Sequence, residues 1–392
     1  MKVKSIPSDF RVSENVSLHI VQKGTFYAFA LEKEGLTTSE ALDVLSRKAG
    51  IRRTAWRHAG LKDKHAHTRQ FVTIPAGEWR GQAPRRGAAV TARKARLELI
   101  GRCSEAIRRG HITSNKFRVT IRNLTRARIA LMTGEWELLA ASGMPNYFDT
   151  QRFGACRHGG GLVLAELLRG DGEKAARVLL TAISRKDHRV VKERRKTTER
   201  LWGRWEDMAR ALPDSPERAA AKHLSGNEKD FEGALAAYEN SSGVPYNVLA
   251  FQSMLYNLMV SHAVQESAVP FFRVKIGERE LAYATRKPDI LSEEDPLSLF
   301  YPGNKFIPPW DKALAAACTE LGVAPESVDS SNLPRKMWDR SARRTWTSIR
   351  ETAKPRVIKD DIYPDRRALI LSFELPPASY ATLAIKRLQH AK

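Results

Sequence analysis

The stretch His58-Ala59-Gly60-Leu61-Lys62-Asp63-Lys64-His65-Ala66-His67-Thr68-Arg69-Gln70 sets one carboxylate among cations, between a segment that reads as a helix and one that reads as a strand. Gly60 lets the chain turn sharply, because a residue without Cβ accepts positive φ at little steric cost. Asp63 is the only acid between Asp43 and Glu78. Arg57, Lys62, Lys64 and Arg69 surround it in sequence, and nearby positive charge favours the ionised form. An ionised carboxylate is what nucleophilic chemistry requires. Spacing alone serves equally well an acid that caps a turn or pairs with a neighbouring base, since structural ion pairs also hold acids ionised.

Outward from this stretch the chain alternates between two periods. Upstream, Thr37-x-x-Glu40 is a capping box. Leu42, Leu45 and Ala49 follow on one helical face, with Gly50 placed to end the helix. Ser8 to Glu14 alternates apolar and polar as a half-buried strand does, and Phe26 to Leu31 reads as a more fully buried one. Downstream, Gln70 to Pro75 is the strand that leaves the motif. Phe117, Val119 and Ile121 put one face of a strand over 116–124 into a core, and a helix over 126–141 follows. From Leu162 to Val264 apolar residues recur at spacings of three and four, interrupted at Gly170-Asp171-Gly172. The run Arg185 to Arg204 is strongly basic and ends in Trp202 and Trp205, a pattern suited to phosphates and stacked bases or to a solvated helix face. Residues 270–334 read as prolines with short strand-like pieces, and 325–334 as a linker. Arg340 to Trp346 mixes arginine with tryptophan. Leu369 to Leu375 is a strand running into an amphipathic final helix.

The 392 residues allow two or three domains. Hydrophobic content of 42% supports a packed core, while 66 Lys+Arg against 44 Asp+Glu leaves a net charge of +22. A field of that sign points to a polyanionic partner, nucleic acid first. Cys103, Cys156 and Cys318 form no CxxC pair, which speaks against a zinc ribbon or a disulfide framework and for a reducing compartment. With no apolar N-terminal run and no window of membrane-spanning length, a soluble cytoplasmic protein is expected. Cys156 with His158 invites a thiol or metal reading, but one pair lacks the further ligands a metal needs. His58, Asp63, His65 and His67 would be the ligands of a rival, metal-dependent nuclease.

Gly60 to Gln70 resembles the GxKDxxAxTxQ signature of the TruD family of tRNA pseudouridine synthases, in which the aspartate is catalytic. Asp9-Phe10-Arg11-Val12-Ser13-Glu14 is similar to the opening motif of that family, where the phenylalanine helps enclose the base. Pro145-Asn146-Tyr147-Phe148-Asp149-Thr150-Gln151-Arg152-Phe153-Gly154 resembles its NYFGxQRFG motif, with Asp149 in place of glycine. Phe251 to Asn257 is similar to its Gln-Ser-x-x-aromatic-Asn helix. Phe373 to Thr382 resembles its FxLPxGSYAT motif, with Ala378 in place of glycine.

The resemblance implies an α+β protein. Its catalytic domain, a mixed, mainly antiparallel sheet flanked by helices, would be formed by residues 1–155 and 336–392, with a TruD-type α/β insertion domain over 156–335. It implies Asp63 as the catalytic residue acting on a flipped-out uridine. Phe10, Phe148 and Tyr380 would wall the base, Asn146 would hydrogen-bond to base or ribose, and Lys62 and Arg152 would hold the carboxylate ionised or bind phosphate. It implies tRNA as substrate, usually at uridine 13, with no metal, no organic cofactor, no membrane and no obligate protein partner. The Asp149 and Ala378 departures keep open an RNA-binding protein that has lost the chemistry.

Overall fold

The computed structural model describes residues 1–79, 85–154, 161–184, 187–277 and 279–390. The chain divides into two compact units, residues 1–143 with 348–392, and residues 144–347. Residues 144–155 and 336–347, expected with the ends of the chain, group instead with its middle.

The first unit is built on a ten-stranded sheet. Its strands are β1 (Lys2–Val3), β2 (Phe10–Val16), β3 (Phe26–Glu34), β4 (Arg57–His58), β5 (His67–Pro75), β6 (Ala89–Ala92), β7 (Ala95–Cys103), β8 (Ile112–Leu124) and the C-terminal pair Arg350–Lys359 and Arg367–Leu375. From one edge the order is Arg350–Lys359, Arg367–Leu375, β8, β2, β5, β3, β7, β6, with β1 added to β8 and β4 to β5. Only β2 and β5 are parallel among these described pairings, with Arg11 opposite His67. That pairing sets the start of β2 beside the start of β5, and so brings Phe10 alongside the loop that carries Asp63.

Period-two alternation decides which residues fill the core. Tyr27, Phe29 and Leu31 share one face of β3 and pack with Ala41, Leu42 and Leu45 of α1 (Thr38–Ala49), together with Val72, Ile74, Leu97 and Leu99. The capping box at Thr37 and Glu40 is formed, and Gly50 ends the helix at φ 66°. A second cluster joins α2 (Arg126–Ser142) to the sheet. Trp136 lies 5.0 Å from Phe373, which stacks on Phe117 at 5.5 Å.

The second unit is mainly helical. Its central helix, Tyr246–Glu266, is 21 residues long and buried on nearly every side from Asn247 to Val264, so apolar residues appear all round it rather than on one stripe. A hairpin of Phe271–Ile276 with Arg279–Ala284 packs beside it. Two sequence expectations change here. Within 270–334 stands a full helix, Trp310–Leu321, with Ala313, Leu314, Ala317, Cys318 and Leu321 on its buried face. The segment read as a linker opens with a short helix, Pro325–Asp329. The fold is α+β. Among the described residues no helix is long and apolar enough to cross a membrane.

Candidate active site

In the first unit the 58–70 stretch leaves β4, forms a loop over 59–66 and enters β5, and the shape of the loop is fixed from below. Thr38 Oγ1 accepts the Lys62 N–H at 3.0 Å and donates to Gln70 Oε1 at 2.8 Å, while Gln70 Nε2 reaches Gly60 O at 3.2 Å. Lys33, 1% exposed, donates its ammonium to Leu36 O at 2.7 Å and to Asp63 O at 2.9 Å. Burial pushes the Lys33 pKa down to about 8, against the attraction of the Asp63 charge. Buried Glu14, at the end of β2, pairs with Lys62 Nζ at 2.7 Å and accepts the Phe71 N–H at 3.1 Å. The opening motif and the aspartate motif are thus joined by an ion pair.

Asp63 itself is anchored twice. Its Oδ1 accepts the His65 N–H at 3.1 Å, the local turn that aspartates commonly form, and its Oδ2 lies 2.5 Å from Lys4 Nζ. Burial works to raise its pKa; the Lys4 hydrogen bond and charge, then His65, outweigh that and hold the carboxyl below its ordinary value. The side chain keeps 25% of its surface exposed. Lys4 also sits over the Phe10 ring, 4.2 Å from the centroid, and Phe10 packs edge-on against Phe117. Lys4, Phe10 and Asp63 therefore form one cluster. The cation beside the carboxylate is Lys4, whereas Lys62 is committed to Glu14 and, at 3.0 Å, to Asn115. Tyr380 is half-buried at the N-cap of the final helix, Ala381–Gln389.

Asn146, Phe148 and Arg152 lie in the second unit. Asn146 is wholly buried: its Nδ2 donates to Arg344 O at 3.0 Å and its Oδ1 accepts from Arg343 at 3.0 Å. Arg343 also binds the carbonyls of Asn146 and Tyr147. Both polar atoms of the Asn146 amide thus reach residues 343 and 344, which hold its loop in place. Phe148 is flanked by Arg343 and Arg152, 4.2 and 5.2 Å from its centroid, and meets Tyr256 edge-on. Arg152 donates to Ser253 Oγ at 2.8 Å and lines a cavity of about 390 Å³ with Gln151, Gly154, Arg195 and Tyr246. Asp149 has φ −96° and accepts the Thr150 N–H at 2.7 Å, so it caps a short 3-10 turn without backbone strain. Ala378, by contrast, holds φ 60° and keeps the left-handed conformation that suits glycine.

Other sequence candidates resolve into structure. In the 340–346 run Arg343 and Trp346 are buried. From Asp187 onward the 185–204 run is described: Arg195 is buried and donates to Leu179 O, and Trp202 and Trp205 pack on each other. Arg185 and Lys186, like Cys156 to Gly160, lie outside the described residues. Among the described residues no three His, Cys, Asp or Glu side chains gather as metal ligands, and His67 lies beside Glu34 at 3.5 Å. Lys4, Lys33 and Glu14 were not singled out by sequence. For two of them a signal exists: Lys33 is in phase with Tyr27, Phe29 and Leu31, and Glu14 with Phe10 and Val12, so each is a charge on an apolar face.

Comparison with known proteins identifies the family. The family described as "tRNA pseudouridine synthase D (TruD)" matches residues 1–289. The tRNA pseudouridine synthase D of Aquifex aeolicus (strain VF5) is 27% identical over 398 residues, covering 99% of this chain and 98% of that protein. The protein of the same name from Leptospira interrogans (serovar copenhageni) is 25% identical over 397 residues, covering 98% and 95%. A crystal structure of the putative tRNA pseudouridine synthase D from Methanosarcina mazei superposes with a TM-score of 0.68 at 22% identity, covering 99% of this chain and 93% of that one. The chain belongs to the tRNA pseudouridine synthase D (TruD) family of RNA-isomerising enzymes.

Proposed function

We propose that this protein converts a specific uridine of tRNA, uridine 13 as the family resemblance implies, to pseudouridine, with Asp63 as the catalytic residue. In the reaction the C1′–N1 bond breaks, the base turns, C5 bonds to C1′, the C5 proton leaves and N1 gains one. Atoms and electrons balance within the substrate, so no oxidant or reductant is consumed. The uridine must leave its stack to expose the glycosidic bond. An ionised carboxylate serves the electron-poor sugar either by attack at C1′ or by taking a ribose proton, as glycosidase carboxylates serve oxocarbenium-like centres.

The observation that carries the reading is the Lys4–Asp63 pair: a half-buried carboxylate held ionised above all by Lys4, with part of its surface open and an aromatic ring alongside. Phe10 and Tyr380 would wall the base from the catalytic domain, formed by both ends of the chain. As the resemblance implies, Phe148 would also wall the base, Asn146 would hydrogen-bond to base or ribose, and Lys62 and Arg152 would hold the carboxylate ionised or bind phosphate. The cytoplasm, where tRNA is processed, would be the compartment.

Unmodified tRNA incubated with the protein in EDTA, then probed by carbodiimide primer-extension stops, tests this. A stop at one uridine with wild type and none with Asp63→Asn is expected. No stop in any tRNA, with RNA still bound, contradicts it.

A further inference from the structure

A second feature of the first unit has no role in the chemistry above. Where β8 ends and α2 begins, beside the turn between Arg350–Lys359 and Arg367–Leu375, lies a pocket of about 340 Å³. Four of its lining residues are cations, Arg126, Lys359, Arg366 and Arg367, and one is an acid, Asp365. Among the described residues none of the four cations is held by a carboxylate. Lys359 and Arg367 are register partners, so two positive charges face each other across the ladder. Like charges directly opposite destabilise a sheet pair, and among the described residues neither Lys359 nor Arg367 forms an ion pair with an acid. An arrangement that costs the free protein and converges on a concave surface is completed by an anion.

Its place relative to the catalytic cluster says which anion. Leu124, at the rim, lies five residues beyond Val119, the register partner of Phe10. At about 3.4 Å per residue that is roughly 17 Å along β8 from the Phe10 neighbourhood, too far to touch the reacting nucleotide. It lies within reach of another part of the same RNA.

We infer that the pocket formed by Arg126, Lys359, Arg366 and Arg367 binds a backbone phosphate of the RNA substrate away from the target uridine. Three guanidinium groups offer planar donors matched to phosphate oxygens, and Lys359 supplies a point charge. The contact is blind to sequence and fixes the register of the RNA on the enzyme. The inference rests on RNA being the substrate.

The test measures binding of labelled, unmodified tRNA to the full-length chain by fluorescence anisotropy over a series of KCl concentrations. Wild type is compared with Arg366→Glu/Arg367→Glu and with the milder Lys359→Gln/Arg366→Gln, whose positions are largely exposed, each checked for an unchanged thermal melt. The charge-reversed variant should bind at least about tenfold more weakly. Its slope of log K against log salt should fall by about 1 to 2, and the neutral variant should move the same way. Affinity and slope equal to wild type in both variants would overturn the inference. So would saturable binding of inorganic phosphate that the variants lose while tRNA affinity is unchanged, which would make the ligand a free phosphate. Pseudouridine formation by wild type, followed in parallel, separates the two readings. Patch-dependent tRNA binding without pseudouridine fails the enzymatic reading alone, and pseudouridine with patch-independent binding fails the phosphate site alone.

Discussion

At the residue scale the proposed chemistry depends on how Asp63 is kept charged. Burial favours the neutral acid, and Lys4 reverses the balance. Lys4→Met removes the cation while leaving the desolvation, so the Asp63 pKa should rise. If the ionised form is the active one, as proposed, the acid limb of the pH profile of kcat/KM should then move to higher pH. The rate loss should be large near pH 5 and smaller near pH 8, and a loss equal at every pH would count against the pair. Ala378 offers a second test. Its φ of 60° is a conformation that alanine resists, and Ala378→Gly should stabilise the protein by about 0.5–1 kcal/mol, read as a raised midpoint in urea. The aspartate was legible in the sequence because its motif is contiguous. Lys4 was not, because its partner lies 59 positions away and comes near only through the parallel pairing of β2 with β5.

At the scale of elements, the N-terminal segment that carries Lys4 and Phe10 needs an anchor, and Arg122 of β8 provides it. Arg122 binds Asp9 at 2.7 Å, Asp360 at 2.9 Å and Asp361, tying the turn before β2 to the C-terminal hairpin. Arg122→Met would strand two buried carboxylates and should cost about 3–5 kcal/mol of stability. The pH dependence follows from Asp360. Burial would raise its pKa, but backbone N–H groups of Asn123, Ile362 and Tyr363, with Arg122, hold it below the ordinary value. Its contribution is present above the unfolded carboxylate pKa and is lost as pH falls through the folded one. Acid below about pH 4 should therefore destabilise wild type, and the loss should be shallower in the variant; an equal fall of the urea midpoint in both proteins between pH 7 and about pH 2.5 would refute this. Strands and helices with clean periodicity, β3, β8 and α1, were readable in advance. The helix Trp310–Leu321 was obscured by its flanking prolines, although its buried face recurs at spacings of three and four. The surroundings of Asn146 were not readable for another reason: its motif names a loop, while the residues its amide meets, Arg343 and Arg344, lie 197 and 198 positions along the chain.

At the scale of the whole molecule, the net charge of +22 is put to two uses. Some cations are structural: Arg122, Arg195 and Arg343 are buried and bound to acids or carbonyls. Others, such as Arg366 and Lys359, remain exposed. Composition pointed to a polyanion but could not separate the two sets, because burial is a property of the fold. In the proposed reaction one ionised carboxylate performs the isomerisation. Loss of the C5 proton is a direct report of it, so the deciding measurement is single-turnover release of tritium from tRNA carrying 5-³H-uridine, with enzyme in excess. Asp63→Asn should bind the tRNA as wild type does and release tritium at least about a thousandfold more slowly. Release by the variant at a rate within tenfold of wild type would contradict the account, since the carboxylate would then be no more than the cap of its own turn.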